Sequence, residues 1–275
     1  MQLRSLELSL DDVPAALRLS SEAGWNQTAE DWAIFIRHGT VFGLQDPHGA
    51  LVATAAVLPY AKFGFVAMVL VTPAWRKRGL ATGLVEAAIG SLRGRGLVPV
   101  LDATPAGASV YGRLGFKRIF DLCRWERITT SGTDRRPGFE PTAIPSLGVF
   151  ARLDAEAFGA QRSFLLEDFL RRPHTRAFAL GERGFLLARQ GYRATQLGPL
   201  VAATQSEAVR LLDIALAELD GTLFLDVVDE WTDIAAWLES RGFSRQRPFQ
   251  RMAFGRTQAF GDPGRLMVAA GPEFG

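Results

Sequence analysis

The sequence predicts an α/β chain in which one arrangement of helices and strands is used twice. Two observations carry this reading. Strand-like apolar runs alternate with helical stretches in the order helix–helix–three strands–helix–strand–helix–strand, once up to residue 125 and again from 147 to 254. Each copy also turns into its closing strand on the same doublet, Gly115-Phe116 in the first and Gly242-Phe243 in the second.

The elements are read in order. Leu6, Leu8 and Leu10 alternate as a first strand. Asp11-Asp12-Val13-Pro14 supplies a cap and a first-turn proline for a helix over 15–23. Thr28 and Asp31 have the spacing of a capping box, opening a second short helix that stops at Gly39. Strands over 41–45 and 50–58 are joined by Asp46-Pro47-His48-Gly49, with proline and glycine where a type I turn favours them. Residues 63–71 are a third, nearly all-apolar strand. A helix over 79–93, a strand over 98–102, a helix over 106–114 and a strand over 117–125 complete the copy. Residues 129–145 are rich in Thr, Gly, Pro and charge and read as a linker, dividing the chain into domains at 1–128 and 146–275.

Beyond the linker, 147–158 and 163–172 read as helices, and 176–180 with 185–189 as a hairpin. A third strand spans 193–203. Thr204-Gln205-Ser206-Glu207 is a capping box for a helix striped by Val209, Leu212, Leu216 and Leu219. A strand over 222–227, a helix over 232–241, a strand over 249–254 and a last strand over 264–270 follow.

Bulk properties exclude several classes. A composition 48% hydrophobic and 22% charged is that of an ordinary globular chain. The single cysteine, Cys123, allows no internal disulfide, which fits a reducing compartment. Residues 1–7 lack the apolar stretch of a secretory signal. No apolar run approaches the roughly 20 residues of a membrane helix. A cytoplasmic protein with no membrane partner is expected. A net charge of +2, with arginines spread along the chain, argues against a nucleic-acid partner. His38, His48 and His174 stand at no metal-ligand spacing, so no metal is expected.

The chemistry concentrates in Val69-Leu70-Val71-Thr72-Pro73-Ala74-Trp75-Arg76-Lys77-Arg78-Gly79-Leu80-Ala81-Thr82. A buried strand runs into a turn with three cations and a glycine, then directly into a helix. The first amides of that helix have no intrahelical acceptor and point outward as donors, an anion site reinforced by the helix dipole. Gly79 and Ala81 lack the bulk to hold a phosphate off the backbone. On these residues alone, a solvated cationic turn and a pyrophosphate site are equally good readings.

Two motifs decide between them. Arg76-x-x-Gly79-x-Ala81, preceded by Val71-x-Pro73, resembles the acetyl-CoA pyrophosphate motif of the GNAT superfamily of N-acetyltransferases. The run from Ser109 to Phe116, with Tyr111 and then Gly115-Phe116, resembles that family's Tyr-x-x-x-Gly-Phe helix end. The resemblance implies two tandem domains, each a mixed, mostly antiparallel twisted sheet flanked by helices. It also implies that strands ending near Val71 and Asp102 splay apart around the pantetheine arm of acetyl-CoA, the cosubstrate. Backbone of Val69, Leu70 and Val71, and the turn Arg76, Lys77, Arg78, Gly79, Leu80, Ala81 and Thr82, would then hold the cofactor.

By motif position, the resemblance implies that Tyr111 is the acid that protonates the departing thiolate, with a tyrosine packing beside Phe116 as the alternative. Many relatives carry a glutamate base on the strand equivalent to 65–71, and this chain has no acid there. Asp102 is the nearest acidic residue at a strand end and is read as the catalytic base, with a capping role or a water relay as alternatives. Trp25 and Asn26, in the loop between the first two helices, are read as substrate-binding. The second copy has Ala203-Thr204-Gln205-Ser206-Glu207-Ala208 in place of the cationic turn, and Leu238 falls opposite Tyr111. It reads as a degenerate, non-catalytic GNAT-like domain that buttresses the first copy or walls its acceptor pocket. The expected activity is direct acetyl transfer to the amine of a small molecule, by a monomer or homodimer. An acyl-CoA-binding sensor and a protein or peptide N-acetyltransferase are the alternatives.

Overall fold

A computed structural model describes residues 3–128 and 146–275; the linker read at 129–145 lies outside the described residues. The first copy comprises β1 (Arg4–Glu7), α1 (Val13–Glu22), α2 (Ala29–His38), β2 (Thr40–Gln45), β3 (Leu51–Pro59) and β4 (Phe63–Val71). It continues with α3 (Leu80–Gly94), β5 (Val98–Ala103), α4 (Pro105–Arg113) and β6 (Phe116–Arg127). The second comprises α5 (Leu147–Phe158), α6 (Ser163–Arg171), β7 (Arg176–Ala179), β8 (Gly184–Gln190) and β9 (Thr195–Ala202). It ends with α7 (Gln205–Glu218), β10 (Leu223–Val228), α8 (Thr232–Ser240), β11 (Ser244–Phe254) and β12 (Leu266–Val268).

Local chemistry sets the ends of these elements. In α2, Thr28 Oγ1 accepts from the Asp31 amide and Asp31 Oδ2 accepts from the Thr28 amide, so each residue satisfies a donor the helix leaves open. Asp46 Oδ1 accepts from the amides of His48 and Ala50, closing the β2–β3 turn, where Gly49 takes φ +82°. Several boundaries differ from expectation: the strand read from 249 begins at Ser244, the last strand is confined to Leu266–Val268, and the first strand ends early. The strand read through Leu10 stops at Glu7, because the Ser9 amide donates to Asp12 Oδ2 at 2.8 Å and curls the chain into a short turn. Leu10 is left exposed.

The twelve strands form one sheet, in the order β1-β2-β3-β4-β5-β11-β6-β10-β12-β9-β8-β7. Its pairs are antiparallel except β4–β5 and β9–β10. Strands alternate their side chains, so Phe65 joins one core and Val66 another. The first of these is shared between the copies, drawing on α1, α2, α5 and α6. The other side of the sheet is covered by α3 and α4 in one half and by α7 and α8 in the other.

The middle of the sheet holds an exchange that the sequence did not announce. β11, from the second copy, lies between β5 and β6 of the first, and β6 in turn pairs with β10 of the second. Two ion pairs clasp this exchange reciprocally. Arg251 on β11 is in register with Asp102 on β5 and donates to both its carboxylate oxygens, at 2.8 and 2.7 Å. Arg124 on β6 is in register with Asp226 on β10 and does the same, at 2.9 and 2.8 Å. Each pair is buried, bidentate and formed between copies.

Candidate active site

The parallel strands β4 and β5 are paired only from Phe63↔Val98 to Phe65↔Val100 and then diverge, although both run on. A bulge drives the divergence. The β3–β4 register shifts between Thr54 and Ala56, and Met68 opposite the shift takes the left-handed φ of 52°. Such a conformation is uncommon for a residue with a side chain. The Met68 carbonyl is pinned by Thr54 Oγ1 at 2.8 Å in a buried setting. A bulge leaves backbone unpaired with its neighbour and re-aims it, here toward the opening between the strands.

Two connected hollows occupy that opening. The outer one, of about 530 Å³, is a groove along the end of β4 and the start of α3. Val69, Leu70 and Val71 form its floor. Arg76, Lys77, Gly79, Leu80, Ala81 and Thr82 form its rim. Lys77 and Gly79 take left-handed φ values of 62° and 78°, and a Cβ on Gly79 would meet nothing within 4 Å, so the turn is open to a ligand. No side chain caps the start of α3, leaving its first amides available as donors. Arg76 Nε donates to the Val71 carbonyl at 3.0 Å, which fixes the side chain at the rim. Arg78 stands apart from the other cofactor-binding residues of the sequence reading. Its guanidinium lies 4.7 Å over the Trp75 ring and donates to the Ala74 carbonyl, outside the groove lining.

The donor set fits a pyrophosphate on an extended thiol arm: cations and free amides at the mouth, a strand edge along the floor. The exposed charges each contribute about 0.3–1 kcal/mol, so Arg76→Ala with Lys77→Ala should weaken acetyl-CoA roughly 3- to 30-fold. Isothermal titration of the double variant at low and high salt checks this, the deficit shrinking as salt rises.

The inner hollow, of about 190 Å³, lies where β4 and β5 have parted. Trp25, Val69 and Arg247 line both hollows and join them. Tyr111, on α4, faces the inner cavity, and burial pushes its phenol above the ordinary value, so it holds its proton. Asp102 also lines the cavity, but its side chain is fully buried and Arg251 occupies both its oxygens. Burial raises the Asp102 carboxyl and Arg251 opposes that rise. Each Asp102 oxygen thus already accepts from a buried guanidinium, which is the chemistry of a strand clasp.

Asn26 lines the cavity too, yet its amide is spent on the second copy. Its Oδ1 accepts from the Arg193 and Ala194 amides at 2.8 and 2.9 Å, and its Nδ2 donates to the Ala194 carbonyl. The sequence reading offered the second copy as a possible wall of the acceptor pocket but named none of the residues that form it. Arg193, Phe224, Gln246, Arg247, Phe249, Pro272 and Glu273 all come from the second copy. No local signal marks them, because each reaches the cavity through long-range packing.

The equivalent places in the second copy are closed. β9 and β10 pair over Thr195–Leu197 and Leu223–Leu225 and then part as β4 and β5 do, but β12 enters the gap. Val268 faces Val227 on one side and Leu200 on the other. A Cβ on Gly198 would strike the Ala269 carbonyl, which shows how tightly the gap is filled. The α7 start is also satisfied internally. Thr204 Oγ1 accepts from the Glu207 amide, and Glu207 pairs with Arg183 at 3.1 Å. Among the described residues, no group of three or more His, Cys, Asp or Glu could hold a metal ion. No helix among them is long and apolar enough to cross a membrane.

A diverging strand pair, a cationic turn with open helix amides beside it and a half-buried tyrosine at the parting fit an acyltransferase of the GNAT class. Comparison agrees: residues 11–116 match the Acetyltransferase (GNAT) family and residues 150–267 match the Acetyltransferase (GNAT) domain. The chain belongs to the GNAT family, as a tandem N-acetyltransferase. It is 22% identical over 247 residues to the uncharacterized N-acetyltransferase YitH of Bacillus subtilis (strain 168), covering 87% of each chain. A putative acetyltransferase from Pyrococcus horikoshii superposes with a TM-score of 0.84 at 18% identity, covering 99% of this chain and 96% of that one. A tandem GNAT protein from the clavulanic acid biosynthesis pathway gives 0.66 at 16%, covering 92% and 98%.

Proposed function

We propose that this chain transfers the acetyl group of acetyl-CoA directly to the amine of a small molecule, in the inner cavity of the first copy. The observation that carries this is the enclosure of that cavity. Its far wall is the second copy, and about 190 Å³ suits a compact amine rather than a peptide segment. Acetyl-CoA lies in the outer groove with its thioester at the parting of β4 and β5. The bulged backbone near Leu70 donates to the thioester oxygen as negative charge develops there. Tyr111 delivers its proton to the departing sulfur. Trp25, at the junction of the two hollows, holds the acceptor against the thioester.

Thiol release from acetyl-CoA, followed across amino acids, polyamines, aminoglycosides and short peptides, tests the proposal. Turnover confined to small amines, with a product heavier by one acetyl group, is the expected result. Turnover on peptides alone contradicts it. Tight CoA binding without turnover on any amine points instead to the sensor reading.

A further inference from the structure

We propose that Glu273, carried into the first copy's cavity by the segment that follows β12, is the general base that deprotonates the acceptor amine. The assignment rests on the acetyl-transfer reading above.

Only two carboxylates line the inner cavity among the described residues, Asp102 and Glu273. Asp102 is held at both oxygens by Arg251. Glu273 is held differently. Its Oε1 accepts from Arg189 Nη2 at 2.9 Å, while no side chain among the described residues donates to Oε2. Beyond that ion pair and the contact from its own backbone amide, the carboxylate keeps lone pairs to meet an ammonium.

The segment that presents Glu273 is anchored beyond what a surface tail requires. Arg162, itself buried and paired with Asp154, donates to the carbonyls of Phe274 and Gly275 at 2.9 and 2.7 Å. Arg189 donates to the Ala270 carbonyl, and the Tyr60 hydroxyl of the first copy donates to Phe274. The Phe274 ring is fully buried and stacks on Phe35 at 5.3 Å. Gly271, at φ +130°, lies beneath the folded-back Glu273 carboxylate, and a Cβ there would come within 2.7 Å of Oε1. Two buried arginines, a tyrosine and a glycine thus fix one carboxylate at the cavity wall.

A neighbour supports an ammonium at this place. Gln27 lines the same cavity at 6% exposure, and its Oε1 has no hydrogen-bond partner among the described residues. It stands ready to accept from the acceptor.

The charge surroundings suit the role. Burial pushes the Glu273 carboxyl up to about 7, with Arg189 and Arg124 opposing the rise and Asp31 adding to it. Asp31 is itself paired with Arg172 at 2.7 Å, and Arg124 with Asp226. Arg193 and Arg247 also line the cavity. A base with a value near the working pH combines the ionised form with real proton affinity.

The proton account closes. Glu273 takes one proton from the acceptor's ammonium, and the free amine attacks the thioester carbon. The carbon–sulfur bond breaks as Tyr111 gives its proton to the sulfur, and Tyr111 is restored by the second proton of the nitrogen. Glu273 then releases its proton to solvent.

Glu273→Gln keeps the shape and an acceptor for Arg189. The variant should lose about 100-fold in kcat/KM for the acceptor, with acetyl-CoA affinity within twofold of wild type. The acidic limb of the pH profile, rising through about pH 7 in wild type, should vanish. Activity within threefold of wild type overturns the assignment. So does a loss that leaves the acidic limb in place, since that marks a structural role. Infrared difference titration of wild type against Glu273→Gln, with CoA bound, decides the case without an acceptor. A carboxyl titrating near 7 is expected, and one fully ionised by pH 5 overturns the assignment. Absence of turnover on every amine sinks the acetyl-transfer reading separately.

Discussion

Tyr111→Phe is expected to lower kcat by about 100-fold or more while leaving acetyl-CoA affinity unchanged, because proton delivery by a positioned acid contributes that much. The substitution removes one oxygen and keeps the ring. Tyr111 packs beside Phe116, with ring centroids 6.1 Å apart, and that contact survives in the variant. Stability should therefore hold while turnover falls. The raised phenol of Tyr111 gives the effect a direction with pH. An acid kept protonated by burial does not lose its proton at neutral pH, so Tyr111 sets no limb of the profile there. A leaving group that needs no proton restores the variant, so a thioester with a more acidic thiol should narrow the gap. Full activity of Tyr111→Phe with acetyl-CoA would remove it from the mechanism.

Asp102→Ala is expected to cost about 3–5 kcal/mol of stability, the range for leaving a buried charge without its partner. Arg251 would stay behind, nearly buried, its guanidinium within about 5 Å of the Phe65 and Phe120 rings and without its carboxylate. Asp226→Ala should destabilise by a similar amount, because Arg124 is its mirror in the strand exchange. Asp226 also accepts from Gln196, so its loss frees a second buried donor. Chemical denaturation of both variants checks the symmetry. If Asp102 were the base as well, Asp102→Asn would lose turnover together with the acidic limb of the profile under conditions where it remains folded.

These two residues also mark what the sequence could and could not reveal. Features governed by neighbours along the chain were legible: the Thr28–Asp31 box, the Thr204 cap of α7 and the Asp46–Gly49 turn all close within a few residues. The cationic turn itself was legible for the same reason, since strand, cations, glycine and helix follow one another directly. The strand exchange was not. β6 and β11 are similar closing strands, and nothing in either sequence says which copy's neighbour it pairs with. Asp102 looked like a free strand-end acid because its partner lies 149 positions away. Glu273 gave no signal at all, since the arginines that seat its segment reach it across 81 to 113 positions.

The second copy emerges as more than a buttress. It lends β11 to the first copy's sheet, supplies the far wall of the cavity and seats Glu273 there. Its own cleft is filled by β12 on the way. One cofactor site per chain is the central prediction of the proposed function. Isothermal titration with acetyl-CoA tests it most directly. The account predicts one molecule bound per chain, weakened by replacing Arg76 and Lys77. Two molecules per chain, or a site indifferent to those replacements, would contradict it.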